Sequence, residues 1–499
     1  MEHLTLIAIF MTLISLTTIA YLFHHHKPST PATNLPPSPP KLPIIGHLHL
    51  ISDMPHKSLA RLSDQYGPIL YLKLGHVPTI VISSARIAQL ILKTHDHVFC
   101  NRPHLVSAHY LSFNCSDVTF SPYGPYWRQA RKICVTELLS PKRVNSFQLI
   151  RNEEVTRLIQ TVSTRCGLEV DVSELFFRLA NDVLCRVAFG KRFFREDAGD
   201  DLVRILSETQ ALFAGFCLGD FYPDWEWVNS VSGSKRRMLK NLKELSEVCD
   251  NIINDHIMKK GQLGTNSSED FVDVLLRVQQ QDDLEVPITD DNLKALVLDM
   301  FVAGTDTTSA TLEWAMTELV RHPKVVEKAQ TEIKSIAEIK GEVEESDLHN
   351  FNYLKAVIKE TMRLRTAVPL LVPRESMQKC TIEGYDIPQK TRVLINTYAI
   401  GRDPNSWENP LVYDPERFVE NEADFRGQDF RFLPFGGGRR GCPGYSFGLA
   451  TIELTLARLL YHFDWKLPNG VGPDDVNLDE IFGLATRKKT ALILVPNRR

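Results

Sequence analysis

Strong charge of either sign is missing from this chain: 57 basic and 61 acidic residues among 499 leave a formal net charge of -4. That balance gives no reason to invoke nucleic acid or another strongly charged partner. Closely spaced cysteines are missing too. The nine cysteines, at 100, 115, 134, 166, 185, 217, 249, 380 and 442, form no CxxC pair, and their odd number in a long chain fits a reducing compartment better than a disulfide framework. All but Cys442 are expected to be small core fillers. Repeats, charge runs and low-complexity tracts are absent from the interior, so one large body is expected in spite of the length. No strand-helix-strand alternation runs through it, which argues against a doubly wound parallel sheet.

One long apolar run is present. Leu4 to Phe23, LTLIAIFMTLISLTTIAYLF, is uncharged and mostly apolar over 20 residues, enough at ~1.5 Å per residue to cross roughly 30 Å of hydrocarbon. A cleaved signal peptide is the competing reading, but its apolar region is normally about 7–15 residues, and a retained anchor is the expectation. Lys27 with His24, His25 and His26 follows the run and Glu2 precedes it, a weak positive bias that places the body in the cytosol, on the endoplasmic reticulum membrane. The sequons at Asn114 and Asn266 would matter only if the body faced a lumen. Next comes PATNLPPSPPKLPIIG, whose prolines predict a stiff extended spacer. The expected organisation is an anchor over 1–26, a proline-rich hinge over 27–45 and a catalytic body over 46–499.

Alternating apolar runs broken by Gly75 and Pro78 predict two short paired strands between Tyr66 and Ser84. After them helical spacing dominates, over 147–164, 174–189, 235–258 and 353–365, with brief strand signals at CTIEGYDI, RVLINTYA and ALILVP. The fold class expected is mainly α with small β-sheets. The longest helix should run from a cap at Thr289 to a stop at His322-Pro323. Its centre, AGTDTT at 303–308, puts a glycine, an acid and three threonines where a buried helix should be apolar, the signature of a site.

The turn RFLPFGGGRRGCPGYSFG, Arg431 to Gly448, crowds glycines, two arginines and one cysteine ahead of a predicted helix from Pro443 to Tyr461. Gly436, Gly438 and Gly441 match GxGxxG, so a dinucleotide-binding dehydrogenase is one reading, but Pro434 interrupts the strand that should precede it. A structural zinc site would need further Cys or His ligands nearby. A buried cysteine beside a turn would leave Arg439 and Arg440 unexplained. A haem-thiolate site accounts for every member: Cys442 at a helix start, held as thiolate by the dipole and free N–H groups, glycines that let the loop approach a flat macrocycle, Phe435 beside the sulfur, and Arg440 paired with a propionate.

Phe435, Gly438, Arg440, Cys442 and Gly444 follow FxxGxRxCxG, and the chain thereby resembles the cytochrome P-450 monooxygenases, in wording close to plant microsomal enzymes of specialised metabolism. The resemblance spans anchor, hinge and body. It implies that Asp306 and Thr307 manage water and protons at bound dioxygen, that Glu360, Arg363 and Arg417 form a structural charged cluster, and that Trp127, Arg131 and Arg374 contact the propionates of haem b. On spacing alone Glu360 and Arg363 would be an ordinary helical ion pair. The family usually has His-Pro after this pair, where Arg365 and Thr366 stand here.

The resemblance further implies an NADPH-cytochrome reductase as electron donor, with Arg128, Lys132 and Arg439 as docking candidates. It also implies a substrate pocket that includes the loop from His104 to Phe120, Phe213 to Leu218, Phe301, Val302, Ala303, Ala367, Val368, Leu370, Leu371 and Phe482 to Leu484. Those walls are apolar and no charged anchor is evident, so a terpenoid, alkaloid or phenylpropanoid skeleton is the expected substrate. A membrane-tethered haem- or ligand-binding protein without turnover remains the other reading.

Overall fold

The structure, a computed structural model, describes residues 34–192, 199–213, 217–225, 227–260, 269–338, 340–421 and 423–499. The expected anchor, Asn266 and residues 214–216 lie outside them. Among the described residues no helix is long and apolar enough to cross a membrane.

Helix α1 (Pro55–Tyr66) precedes strands β1 (Ile69–Leu74) and β2 (Val77–Ile82). These pair antiparallel, with Ile69 opposite Ile82, and Gly75 (φ 58) closes the turn. Pro78 is tolerated because β2 begins its second pairing, with β7, only at Thr79, so no ladder donor is missing. The helical body follows: α2 (Pro125–Cys134), α3 (Gln148–Ser163), α4 (Val172–Phe189) after the short β3 (Val170–Asp171), α5 (Ser234–Lys260), α6 (Asp290–Arg321), α7 (Pro323–Ala337) and α8 (Asn352–Leu364). Next come β4 (Arg374–Glu375), the hairpin β5 (Cys380–Ile382) and β6 (Tyr385–Ile387), β7 (Arg392–Ile395), α9 (Tyr445–His462), β8 (Phe463–Lys466), β9 (Glu480–Ile481), β10 (Arg487–Lys488) and β11 (Ile493–Arg498).

The sheets run in the orders β1-β2-β7-β4, β3-β11-β8, β9-β10 and β5-β6. Only β2 with β7 is parallel, so the mainly α class with small sheets holds and nothing doubly wound is present among the described residues. The segment RVLINTYA is strand only as far as Ile395; Asn396 then caps a one-turn helix, its Oδ1 accepting from the Ala399 N–H at 3.2 Å.

Helix α6 begins as its sequence dictates. Thr289 Oγ1 accepts from the Asn292 N–H at 3.2 Å while Asn292 Oδ1 accepts from the Thr289 N–H at 2.9 Å, which satisfies two orphan donors at once. It packs chiefly on α4 and is buried on nearly every side. At Gly304 a Cβ would stand 3.0 Å from both methyls of Leu184 on α4, so the missing side chain lets the two helices approach, offsetting the roughly 1 kcal/mol that glycine costs a helix.

The proline-rich segment is not a free spacer from residue 34 onward. Tyr71 donates to the Pro37 carbonyl at 2.9 Å. The buried His47 accepts the Lys73 N–H on Nδ1 at 2.8 Å, which leaves Nε2 to donate to the Pro39 carbonyl at 2.9 Å. Prolines keep their carbonyls free, and the sheet edge uses them.

Candidate active site

A cavity of about 250 Å³ lies between the centre of α6, the glycine turn before α9, and the segments around Val118 and Val368. The wall from α6 includes Val302, Ala303, Gly304, Thr307 and Thr308. Ala303 has an exposed side although Val302 and Thr305 around it are buried, so its free surface is internal. Small residues there leave a slot that larger ones would fill.

Across the slot stands Cys442. Helix α9 starts at Tyr445, three residues later than the sulfur and two later than the pattern predicts, because the turn continues through Pro443 and Gly444. The Cys442 N–H donates to the Phe435 carbonyl at 2.9 Å, which folds the loop back on itself. Gly436 (φ 67) and Gly438 (φ 65) provide the left-handed bends. Gly436 and Gly444 line the cavity with Phe435. Gly438 does not; a Cβ there would lie 2.4 Å from both Asp96 Oδ1 and the Leu92 carbonyl.

Cys442 has accessible surface, and it stands on the cavity wall among mostly apolar neighbours. Burial accordingly pushes its thiol up from the ordinary value, and the Gly444 and Tyr445 N–H groups with Arg131 pull it down by less. Desolvation and the N–H groups thus act in opposite directions on the thiol, and a cation bound at the sulfur would favour the thiolate further.

Three guanidinium groups converge on the same cavity. Arg131 donates through Nη2 to the Gly441 carbonyl at 2.6 Å. Arg374 pairs with Asp96 at 2.9 Å and donates to the Gly437 carbonyl at 2.6 Å. Arg440 is held by the carbonyls of Cys100 at 2.8 Å, Val118 at 3.4 Å and Ser121 at 2.7 Å, and lies 4.1 Å above the Trp127 ring. Trp127 is not on the wall; its indole N–H serves the Val118 carbonyl at 3.0 Å, and its ring supports Arg440 and Arg131.

Arg102, which the sequence reading missed, is a fourth, donating to the carbonyls of Thr119, Val372 and Pro373. Burial and the neighbouring arginines lower Arg440 to about 9 and hold Arg102 well below its usual range. Like charges crowded this way call for an anion.

Two acids also stand on the wall: Asp117, within the expected loop from His104 to Phe120, and Asp299, which escaped the sequence reading. Asp299 on α6 accepts the Val118 N–H at 3.0 Å and the Thr119 hydroxyl at 2.6 Å, and Asp117 accepts the Phe120 N–H at 2.8 Å. They clamp the 117–120 loop to the helix, and burial raises both. The wall is thus not free of charge, contrary to expectation.

Asp306 and Thr307 point different ways. Thr307 faces the cavity and its hydroxyl donates to the Ala303 carbonyl at 2.8 Å. Asp306 is not on the wall. It is buried, 3.3 Å from Arg487 Nη1 on β10, and neither carboxylate oxygen has a hydrogen-bond partner among the described residues. Burial raises it from 3.8 to about 6, with Arg487 pulling the other way.

Among the expected pocket residues, Phe213, Val302, Ala303, Ala367, Val368 and Leu371 line the cavity, while Leu370 and Phe482 line a smaller lobe that adjoins it. Phe301 lines neither. One step along α6 turns it by about 100°, into the core against Phe189, with ring centroids 4.5 Å apart.

Outside the cavity, Glu360 and Arg363 pair through two bonds of 2.7 Å at full burial. Arg363 also serves the carbonyls of Gly401 and Pro410, and Arg417 Nε joins at 3.1 Å from Glu360. Every charge in the cluster is answered, and it pins α8 to the 401–417 segment. Arg365, in the unusual position after the pair, bonds Glu318 on α6 at 2.8 Å and reaches Glu480 on β9 at 3.6 Å.

Neither rival of the glycine turn fits this geometry. No strand precedes it, and among the described residues the only metal-compatible cluster of His, Cys, Asp or Glu is His256, Asp270 and Asp273, without Cys442. All nine cysteines are free.

The family model described as Cytochrome P450 matches residues 36–495. Tryptamine 5-hydroxylase of Oryza sativa subsp. japonica is 57% identical over 475 residues, 93% of this chain and 91% of its own. Costunolide synthase of Tanacetum parthenium is 46% identical over 93% of this chain and 92% of its own. Among solved structures, a zebra fish cytochrome P450 with abiraterone superposes with a TM-score of 0.76 at 26% identity, over 90% of this chain and all of that one. The residues present suit the haem-thiolate group that this family implies. A sulfur opens into a slot cleared of side chains by Gly436, Gly448, Ala303 and Gly304, with a surplus of guanidinium charge at its edge for an anionic cofactor. The chain belongs to the cytochrome P-450 family and is a haem-thiolate monooxygenase.

Proposed function

We propose that this monooxygenase oxidises a terpenoid, alkaloid or phenylpropanoid metabolite, with electrons from NADPH delivered by a membrane-bound reductase. One observation carries this reading. The Cys442 sulfur, the small-residue face of α6 and the wall formed by Phe213, Ala367, Val368 and Leu371 border one mostly apolar cavity. The names of the relatives, which act on an indole amine and form a sesquiterpene product, support the same substrate range.

Haem b would be held through Cys442 and by Arg131, Arg374 and Arg440, and would supply dioxygen activation, for which a thiolate is a suited ligand. The protein's own residues do the rest. Phe435 and the glycine loop shield the sulfur from water. Thr307 offers a hydroxyl on the wall, able to relay a proton once it releases the Ala303 carbonyl. Asp306, with a proton affinity near neutrality, holds a proton behind it and exchanges with solvent along Arg487, which is partly exposed. A turn of the Asp306 side chain away from Arg487 links the two. Arg128 and Lys132 on α2 and Arg439 form the reductase face, with Lys132 exposed and Arg439 partly occupied by Asp96 at 2.9 Å.

The body sits on the cytosolic face of the endoplasmic reticulum membrane, tethered by Leu4–Phe23. Ile44 and Ile45, soon after that run in the chain, are exposed, and the Gly75 and His76 N–H groups meet the Ile45 and Phe221 carbonyls at 3.2 and 2.8 Å. Such an apolar patch beside the tether supports contact with lipid.

Reduced protein treated with carbon monoxide should give the thiolate-type Soret band, and adding reductase, NADPH and substrate should start oxygen consumption. A dehydrogenase would give nicotinamide binding without the band, and a binding protein the band without turnover.

A further inference from the structure

The main cavity continues into a smaller lobe of about 40 Å³. Phe120, Phe213, Val368, Leu371, Val372 and Leu484 border both, so the two adjoin across these side chains, and Cys442 lines only the larger. A lobe of this size is large enough for a polar substituent or a water or two. Its wall is apolar except at one place, Arg392 on β7. That side chain is 5% exposed; Nη2 donates to the Asp220 carbonyl at 2.9 Å, but Nε has no partner.

The neighbouring Asp220 carboxylate, 2% exposed, accepts the Val106 N–H at 2.7 Å on Oδ1 and leaves Oδ2 unpartnered as well. No ion pair joins the two side chains. A buried N–H left open is costly, and native structures rarely tolerate one without a ligand or water to fill it. The partner's charge follows from the surroundings. Arg392 alone would favour an anion, but the Asp220 carboxylate beside it cancels the charge and disfavours a carboxylate there. An ammonium would meet the guanidinium first. What remains favourable is a neutral acceptor oxygen.

We infer that the small lobe is a recognition subsite in which the Arg392 Nε–H binds an uncharged oxygen of the substrate, a hydroxyl, carbonyl or ether, at the end remote from the carbon that is oxidised. This rests on the reading of the main cavity as the oxidation site and narrows its substrate class to apolar skeletons that already carry an oxygen. A reaction that installs that oxygen must therefore precede this one.

The test uses purified holoenzyme and three probes that share the 3-ethylindole skeleton, 3-ethylindole, tryptophol and tryptamine, which carry hydrogen, hydroxyl and ammonium at the end of the two-carbon chain. Affinities are measured by equilibrium dialysis, which needs no turnover. Tryptophol should bind about tenfold more tightly than 3-ethylindole, the worth of one hydrogen bond to a charged donor, and more tightly than tryptamine. Arg392→Met should abolish the preference and Arg392→Lys should restore part of it. The wild-type ranking alone decides the matter if the variants fail to fold. Equal affinities, a preference for the ammonium, a preference unchanged in Arg392→Met, or no binding of any probe would overturn the subsite while leaving the monooxygenase reading intact. Absence of the thiolate-type band from the same preparation would overturn that reading instead.

Discussion

Replacing Asp306 with asparagine should make the protein more stable at neutral pH and worse at its reaction. The carboxyl titrates at about 6 in the fold against an ordinary 3.8. Between those values the folded state holds a proton that the unfolded chain has lost, so stability falls as pH rises through that window. The shift of roughly 2 units is worth about 3 kcal/mol, fully felt above pH 6 and absent below pH 4. Asparagine mimics the protonated form and cannot ionise. At ~2.1 cal/mol/K of unfolding entropy per residue, Asp306→Asn should melt roughly 3 °C higher than wild type at pH 7.5 and at the same temperature at pH 4. Turnover should fall by about a hundredfold, the low end for losing a proton carrier. Paired thermal melts at the two pH values, with NADPH-dependent product formation, decide it. A pH-independent difference in melting temperature would refute the argument from burial.

Further outcomes follow from the same geometry. Arg363→Met leaves Glu360 buried with only Arg417 and the Asp414 N–H and should cost about 3–5 kcal/mol, read as a lower denaturation midpoint and a smaller haem-loaded fraction. Gly438→Ala forces a side chain into a left-handed bend against Asp96 and Leu92 and should cost at least about 1–3 kcal/mol, whereas Gly470→Ala, with equally positive φ but open space around it, should cost only the backbone strain. Lys132→Ala should raise the reductase concentration needed for half-maximal turnover while leaving substrate affinity unchanged, and an unaltered value removes Lys132 from the docking face.

Much of this site could be read from the chain because its signals are local. The Thr289 cap and the His322-Pro323 stop bound α6 as the pattern dictates, and the three-residue spacing of Glu360 and Arg363 makes their pairing on one helix face unavoidable. What could not be read depends on partners far along the chain. Asp299 and Arg102 are isolated charges in the sequence, and only the docking of the 117–120 loop gives them their partners, Val118 and Thr119. Because α6 is buried on nearly every side, its hydrophobic pattern carries no phase, so the inward turn of Phe301 and the outward turn of Asp306 toward Arg487 were illegible. The docking of the proline-rich segment needed the Tyr71 N–H and the His47 ring, neither of which proline content announces. For Cys442 the sequence displayed the turn but not that the helix would begin three residues after it, at Tyr445.

The central claim is that iron is held by the sulfur at position 442. Purified Cys442→Ser, reconstituted with haem, reduced and exposed to carbon monoxide, measures this most directly. The serine variant should lose the thiolate-type Soret band together with NADPH-dependent oxidation, while its circular dichroism remains that of the folded protein. An unchanged band in the serine variant would contradict it.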